Sequence, residues 1–115
     1  MPNKLAVGLR AEKYGAKSEV EREALRCVYA FEEARSQQTG KRAHANRTWQ
    51  SIQRNGILAT VDRVVARRTA TEGYDALVEA GMEDFTFEAV VLKYPEVFSA
   101  EAVARARERL ANEGA

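Results

Sequence analysis

An all-α fold, a single compact bundle of five to six short helices, is what this 115-residue sequence predicts. Three observations lead there. Apolar residues recur at spacings of three and four along most of the chain, the period of a helix face. Two hydroxyl residues stand three positions before a glutamate at the head of such a stretch, Ser18 before Glu21 and Thr69 before Glu72, the form of a capping box. There are only two prolines, most of the seven glycines fall between the periodic stretches, and no segment alternates as a strand does. The length suits one domain. The expected division is an irregular N-terminal arm over residues 1–17, which holds no sustained period, and one helical domain over 18–115.

The first helix is expected from Glu19 to Thr39, with Ser18 as its N-cap and Ala24, Leu25, Val28 and Phe31 on its inner face. At 1.5 Å per residue it spans about 30 Å. Gly40 is its expected stop. The second runs from Ala43 or Ala45 to Asn55, with Ala45, Trp49 and Ile52 on one face and Arg47, Gln50 and Arg54 on another. Asn55 and Gly56 form a turn, since both tolerate positive φ. The third, Ile57 to Arg67, has the cleanest pattern: Ile57, Leu58, Val61, Val64 and Val65 point inward, while Thr60, Arg63 and Arg67 point out.

A fourth helix follows Thr69 or Thr71, with Tyr74, Leu77 and Val78 inside and Gly81 at its end. The fifth, Glu83 to Tyr94, is apolar nearly all round and is expected to be the hub of the core. It stops before Pro95, because a residue preceding proline is biased away from helical geometry. Ser99 caps the sixth. Phe98 and Val103 form a hydrophobic staple there, and Val103, Ala106 and Leu110 make its inner stripe.

Charge is sorted along the chain. Residues 40–68 carry seven basic residues against one acid, Asp62, a net of +6. Residues 69–115 carry four basic residues against ten acids, a net of −6. A concentrated positive field attracts polyanions or acidic partners. The leading expectation is therefore a small, non-enzymatic accessory protein. Its helix two–three hairpin binds the backbone of DNA or RNA through Lys41, Arg42, Arg47, Gln50, Arg54, Thr60, Arg63, Arg67 and Arg68. Arginine suits phosphate because its planar fork donates two parallel hydrogen bonds.

The hairpin is a poor match to a base-reading helix-turn-helix. With Gly56 as the turn glycine, Ile57 and Val65 fit, but Ile52 stands where a small residue belongs and Asp62 where an apolar one does. Contacts to phosphate rather than to base edges are the expectation, with strong salt dependence. The alternative is a protein-interaction adaptor or self-assembling subunit, a homo-oligomer, docking through complementary basic and acidic faces, the acidic one formed by Glu72, Asp75, Glu79 and Glu83, with aromatic residues near Pro95 to Phe98 as anchors.

The remaining chemistry is sparse. His44 is the sole histidine and no ligand set of accepted spacing accompanies it, so neither metal nor cofactor is expected. Trp49 shares a face with Ala45 and Ile52, which favours core packing over stacking on a base. Cys27 is the sole cysteine, on an amphipathic helix. It reads as a buried inert thiol, and it excludes an internal disulfide framework and agrees with a reducing, cytoplasmic setting. The opening residues hold an apolar run of three, Leu5 to Val7, too short for a secretory leader. No stretch approaches the roughly 20 apolar residues of a membrane span. Phosphate-binding and nucleophile-elbow motifs are missing. Carboxylates gathered in space from several helices are the remaining route to catalysis.

Overall fold

A computed structural model describes residues 18–113 of the chain. The arm expected over residues 1–17 lies outside the described residues. Six α-helices make up the described fold: α1 (Glu19–Thr39), α2 (Asn46–Asn55), α3 (Ile57–Val65), α4 (Glu72–Glu79), α5 (Phe87–Lys93) and α6 (Ala100–Glu113). Single 3₁₀ turns at Glu83–Phe85 and Pro95–Val97 flank α5. The described residues contain no strand, and the all-α bundle expected from the periodicity is the fold observed.

Local chemistry sets the helix ends. The Ser18 hydroxyl accepts from the Glu21 amide at 3.2 Å and donates to the Glu21 carboxylate at 3.0 Å. Gly40 ends α1 at φ 71°, a left-handed geometry that glycine adopts without steric cost, and its amide returns to Ser36 O. Gly56, at φ 91°, is the whole connection between α2 and α3. Thr71 rather than Thr69 caps α4, accepting from the Tyr74 amide. Ser99 caps α6 through the Ala102 amide.

The main core joins five of the six helices. Leu25 and Val28 of α1, Trp49 and Ile52 of α2, Ile57, Val61 and Val65 of α3, Val91 of α5, and Ala102 and Ala106 of α6 form a continuous buried cluster. Helix α3 sits at its centre, packed on α1, α2, α5 and α6. Phe98 and Val103, the residues of the expected staple, are half-buried against it.

Three expectations need correction. The fifth helix does not begin at Glu83: the Thr86 side chain caps a shorter α5 by accepting from the Ala89 amide, and the residues before it form a 3₁₀ turn. Phe85, counted as core, is 42% exposed, whereas Glu88 is buried. Helix α3 stops at Val65 instead of Arg67. Past that point the Arg109 guanidinium takes the carbonyls of Val65, at 2.9 Å, and Arg67. The buried line of α6 is Ala102, Ala106 and Arg109, with Val103 and Leu110 half-buried at its side.

Candidate functional site

The basic hairpin contributes to a broad cleft of about 1130 Å³. One wall is the second half of α1 with the chain leading into α2. The other is α3 with the α3–α4 connection, and α4 and the start of α5 close the inner end.

Two anchors hold the first wall. A single oxygen of Glu32 on α1 accepts from the Ala45 amide at 2.8 Å, the Trp49 indole at 2.8 Å and His44 Nδ1 at 3.0 Å. The Ser36 hydroxyl accepts from the Ala43 amide at 2.9 Å. Ala45 has no capping side chain of its own, so Glu32 supplies the negative charge that favours the first turn of α2, where Arg47 stands. Trp49 is buried, as its periodic company implied, and packs against Tyr29.

A third anchor fixes the second wall. Arg109 of α6 is 9% exposed and donates to the Val65 carbonyl, to the Arg67 carbonyl and, at 2.8 Å, to Glu88. The backbone that carries Arg67 and Arg68 is thereby tied to α5 and α6. Burial pushes the Glu88 carboxyl above the ordinary glutamate range, and the hydrogen bond and charge of Arg109 pull it back. Neither residue was singled out from the sequence. One signal was present: Glu88 is the one acid in the apolar run from Phe85 to Leu92, and a charge on an all-apolar helix requires a buried partner.

The cations divide into two sets. Arg47, Arg63, Arg67 and Arg68 are exposed and line the cleft together. Lys41, Arg42 and Arg54 are exposed but lie outside it, as does the neutral Gln50. The stripe read on α2 thus splits, because the cleft meets only the first turns of that helix and Arg54 lies about 10 Å further along than Arg47. None of these seven cations has an ion-pair partner among the described residues. The one acid of the segment, Asp62, accepts from the amide and hydroxyl of Ser99 at 2.7 and 3.0 Å. It serves the N-terminus of α6 and leaves the arginines unneutralised.

Thr60 is corrected. It is 1% exposed, its hydroxyl donates to Gly56 O at 2.8 Å, and it shares a 2.9 Å hydrogen bond with Ser51. Its role is to join α2 to α3 beneath the cleft, with no surface to offer a ligand.

On the acidic side, Glu72 borders the cleft but is paired with Arg35 at 2.7 Å. Asp75 and Glu79 are exposed, and Glu83 is half-buried in the turn before α5. Cys27 lies on the cleft floor and donates to Thr86 O at 3.6 Å. Burial, reinforced by the charges of Glu23 and Glu88, pushes its thiol far above the ordinary range, so it is held as an unreactive thiol. His44 stands exposed at the cleft edge against Glu32. Among the described residues no group of three or more His, Cys, Asp or Glu side chains is placed to hold a metal ion.

Fold and site together define a small helical bundle with an arginine-rimmed cleft. No protein-family model, curated protein or solved structure matches the chain. No described helix is long and apolar enough to cross a membrane.

Proposed function

We propose that this protein binds the phosphate backbone of nucleic acid in the cleft between α1–α2 and α3–α4, acting as a binding protein in a reducing, cytoplasmic setting. One observation carries the reading: Arg47, Arg63, Arg67 and Arg68, from two helices and a connection, line one open cleft with no carboxylate of the described fold paired to them. Their donors are free for phosphate oxygens, and no ion pair need be broken before they are used. Lys41, Arg42 and Arg54 add to the long-range field without entering the cleft.

The test is fluorescence anisotropy with short DNA and RNA over a series of salt concentrations. Affinity is expected to fall steeply with salt and to weaken when the four cleft arginines are changed together to Gln. Salt-insensitive binding, or unchanged affinity in that variant, would overturn the proposal.

A second reading, an adaptor or self-assembling subunit, draws on Asp75 and Glu79, which are exposed and without an ion-pair partner among the described residues. Light scattering at low and high salt separates self-assembly from it: a monomer throughout removes that form of the reading.

A further inference from the structure

The cleft has two chemistries at two depths. Its rim is the exposed set Arg47, Arg63, Arg67 and Arg68. Its inner lining is mixed: Val28 and Leu77 are buried there beside Cys27, Thr60, Thr86 and the Arg109-paired Glu88, and the rings of Phe31 and Phe87 are half-buried. Phosphates alone need a positive surface and no depth. Half-buried aromatic rings beneath a guanidinium rim instead suit a ligand with both a charged backbone and a flat apolar face.

Gly73 stands beside one of those rings. It lies in the first turn of α4, on the cleft, where a Cβ would stand 3.7 Å from the edge of the Phe31 ring. A longer side chain there would cover the ring. Glycine weakens a helix relative to alanine, and at this position it places no side chain against the Phe31 ring.

An unpaired nucleotide offers both features. In a duplex the base faces are consumed by stacking and only edges reach the grooves, so a duplex can meet the rim but has nothing for the floor. Basic grooves that track a backbone while aromatic rings receive bases are the general solution for single strands. The volume, about 1130 Å³, exceeds the ~300–1,000 Å³ of small-ligand pockets and leaves room for a base with its flanking phosphates.

We propose that the cleft selects single-stranded over duplex nucleic acid by receiving an unpaired base against Phe31 and Phe87, while Arg47, Arg63, Arg67 and Arg68 hold the flanking phosphates. This rests on the backbone-binding reading above and adds to it the strandedness of the partner.

The experiment compares three 12-residue probes by anisotropy at one salt concentration: oligo-dT, an abasic oligomer with the same number of phosphates, and a duplex. Oligo-dT is expected to bind about tenfold more tightly than either of the others. Gly73→Leu, which covers the ring and leaves every arginine in place, is expected to remove that preference with little change in duplex affinity. Phe31→Leu, which keeps apolar volume without a flat face, serves as the second variant, and circular dichroism confirms that each is folded. Equal affinity for all three probes would overturn the inference and leave backbone binding standing. A preference for oligo-dT that persists in both folded variants would also overturn it. Absence of binding to every probe by the unaltered protein would overturn both proposals together.

Discussion

Arg109 on α6 donates to the Glu88 carboxylate on α5 at 2.8 Å, and the same guanidinium holds the carbonyls of Val65 and Arg67 at the end of α3. One side chain therefore joins three helices and sets the position from which Arg67 and Arg68 reach the cleft. Removing one member of a buried ion pair leaves an uncompensated charge, at a cost of about 3–5 kcal/mol. Arg109→Leu should lose about that much stability in urea denaturation, and the double change Arg109→Leu with Glu88→Leu should recover part of it. A double variant no more stable than the single one would show that the freed carbonyls, rather than the stranded carboxylate, account for the loss.

Glu32 is expected to govern how α2 docks. Glu32→Ala leaves the Ala45 amide and the Trp49 indole without their shared acceptor, and one buried donor left unmade costs about 1–3 kcal/mol. Trp49 is the sole tryptophan, so its fluorescence reports the change directly. The emission should shift to longer wavelength, and the urea midpoint should fall. Unaltered emission would show that α2 docks by apolar packing alone.

Thr60→Val separates structure from binding. The change removes hydrogen bonds to Ser51 and Gly56 O, each typically worth about 1 kcal/mol net, while preserving shape. Stability should drop by about 2 kcal/mol for the two together and affinity for nucleic acid should hold. Weakened binding with normal stability would return Thr60 to the list of contacts.

Salt dependence can be apportioned residue by residue. Each phosphate contact contributes about 0.7 to the slope of log K against log salt on a single strand. Changing Arg47, Arg63, Arg67 or Arg68 singly to Gln should lower the slope by about that amount, and Arg54→Gln should leave it nearly unchanged. Equal effects at Arg54 and at the cleft arginines would mean that a diffuse field, and not the cleft, holds the backbone.

The Glu23 cluster sets a pH dependence at both ends. Burial raises the Glu23 carboxyl, but hydrogen bonds from Lys93 and Tyr94 and the charges of Lys93 and Arg26 outweigh it, so the group is held below its ordinary value of 4.5. A lowered acid stabilises the fold above its unfolded pKa and loses that contribution as pH falls through the folded one. The Tyr94 hydroxyl is raised above 10.0 by its bond to Glu23 and by burial, so its contribution is complete below that value and is lost as pH rises through the folded pKa. The thermal midpoint should thus decline below about pH 4.5 and again above about pH 10. Tyr94→Phe should flatten the alkaline arm, and Glu23→Gln should flatten the acid one. Arms unchanged in both variants would remove the cluster as their source.

The helices were legible in the sequence because their determinants are local. Ser18, Gly40, Gly56, Thr71 and Ser99 act on amides and carbonyls within four residues, and the stripe of Ile57, Val61 and Val65 needs only the helical period to declare its inner face. What failed depended on partners far away in sequence. Periodicity placed Thr60 on the outer face of α3, but the neighbouring α2 brings Ser51 to its hydroxyl and buries it. The apolar run from Phe85 to Leu92 indicated a hub, yet the Thr86 cap shortens α5, exposes Phe85 and turns Glu88 inward.

By itself, the sequence determined the all-α class, most helix boundaries, the burial of Trp49 and Cys27, and the concentration of positive charge between residues 40 and 68. Only the tertiary structure decided that Arg47 shares a cleft with Arg63, Arg67 and Arg68 while Arg54 does not, and that Asp62 is spent on Ser99. It alone placed Arg109 beneath the arginine-bearing connection. The reason is physical: a helix face follows from the spacing of its own residues, whereas a cleft and its ion pairs arise from how separate helices cross, which is set by packing between segments remote along the chain.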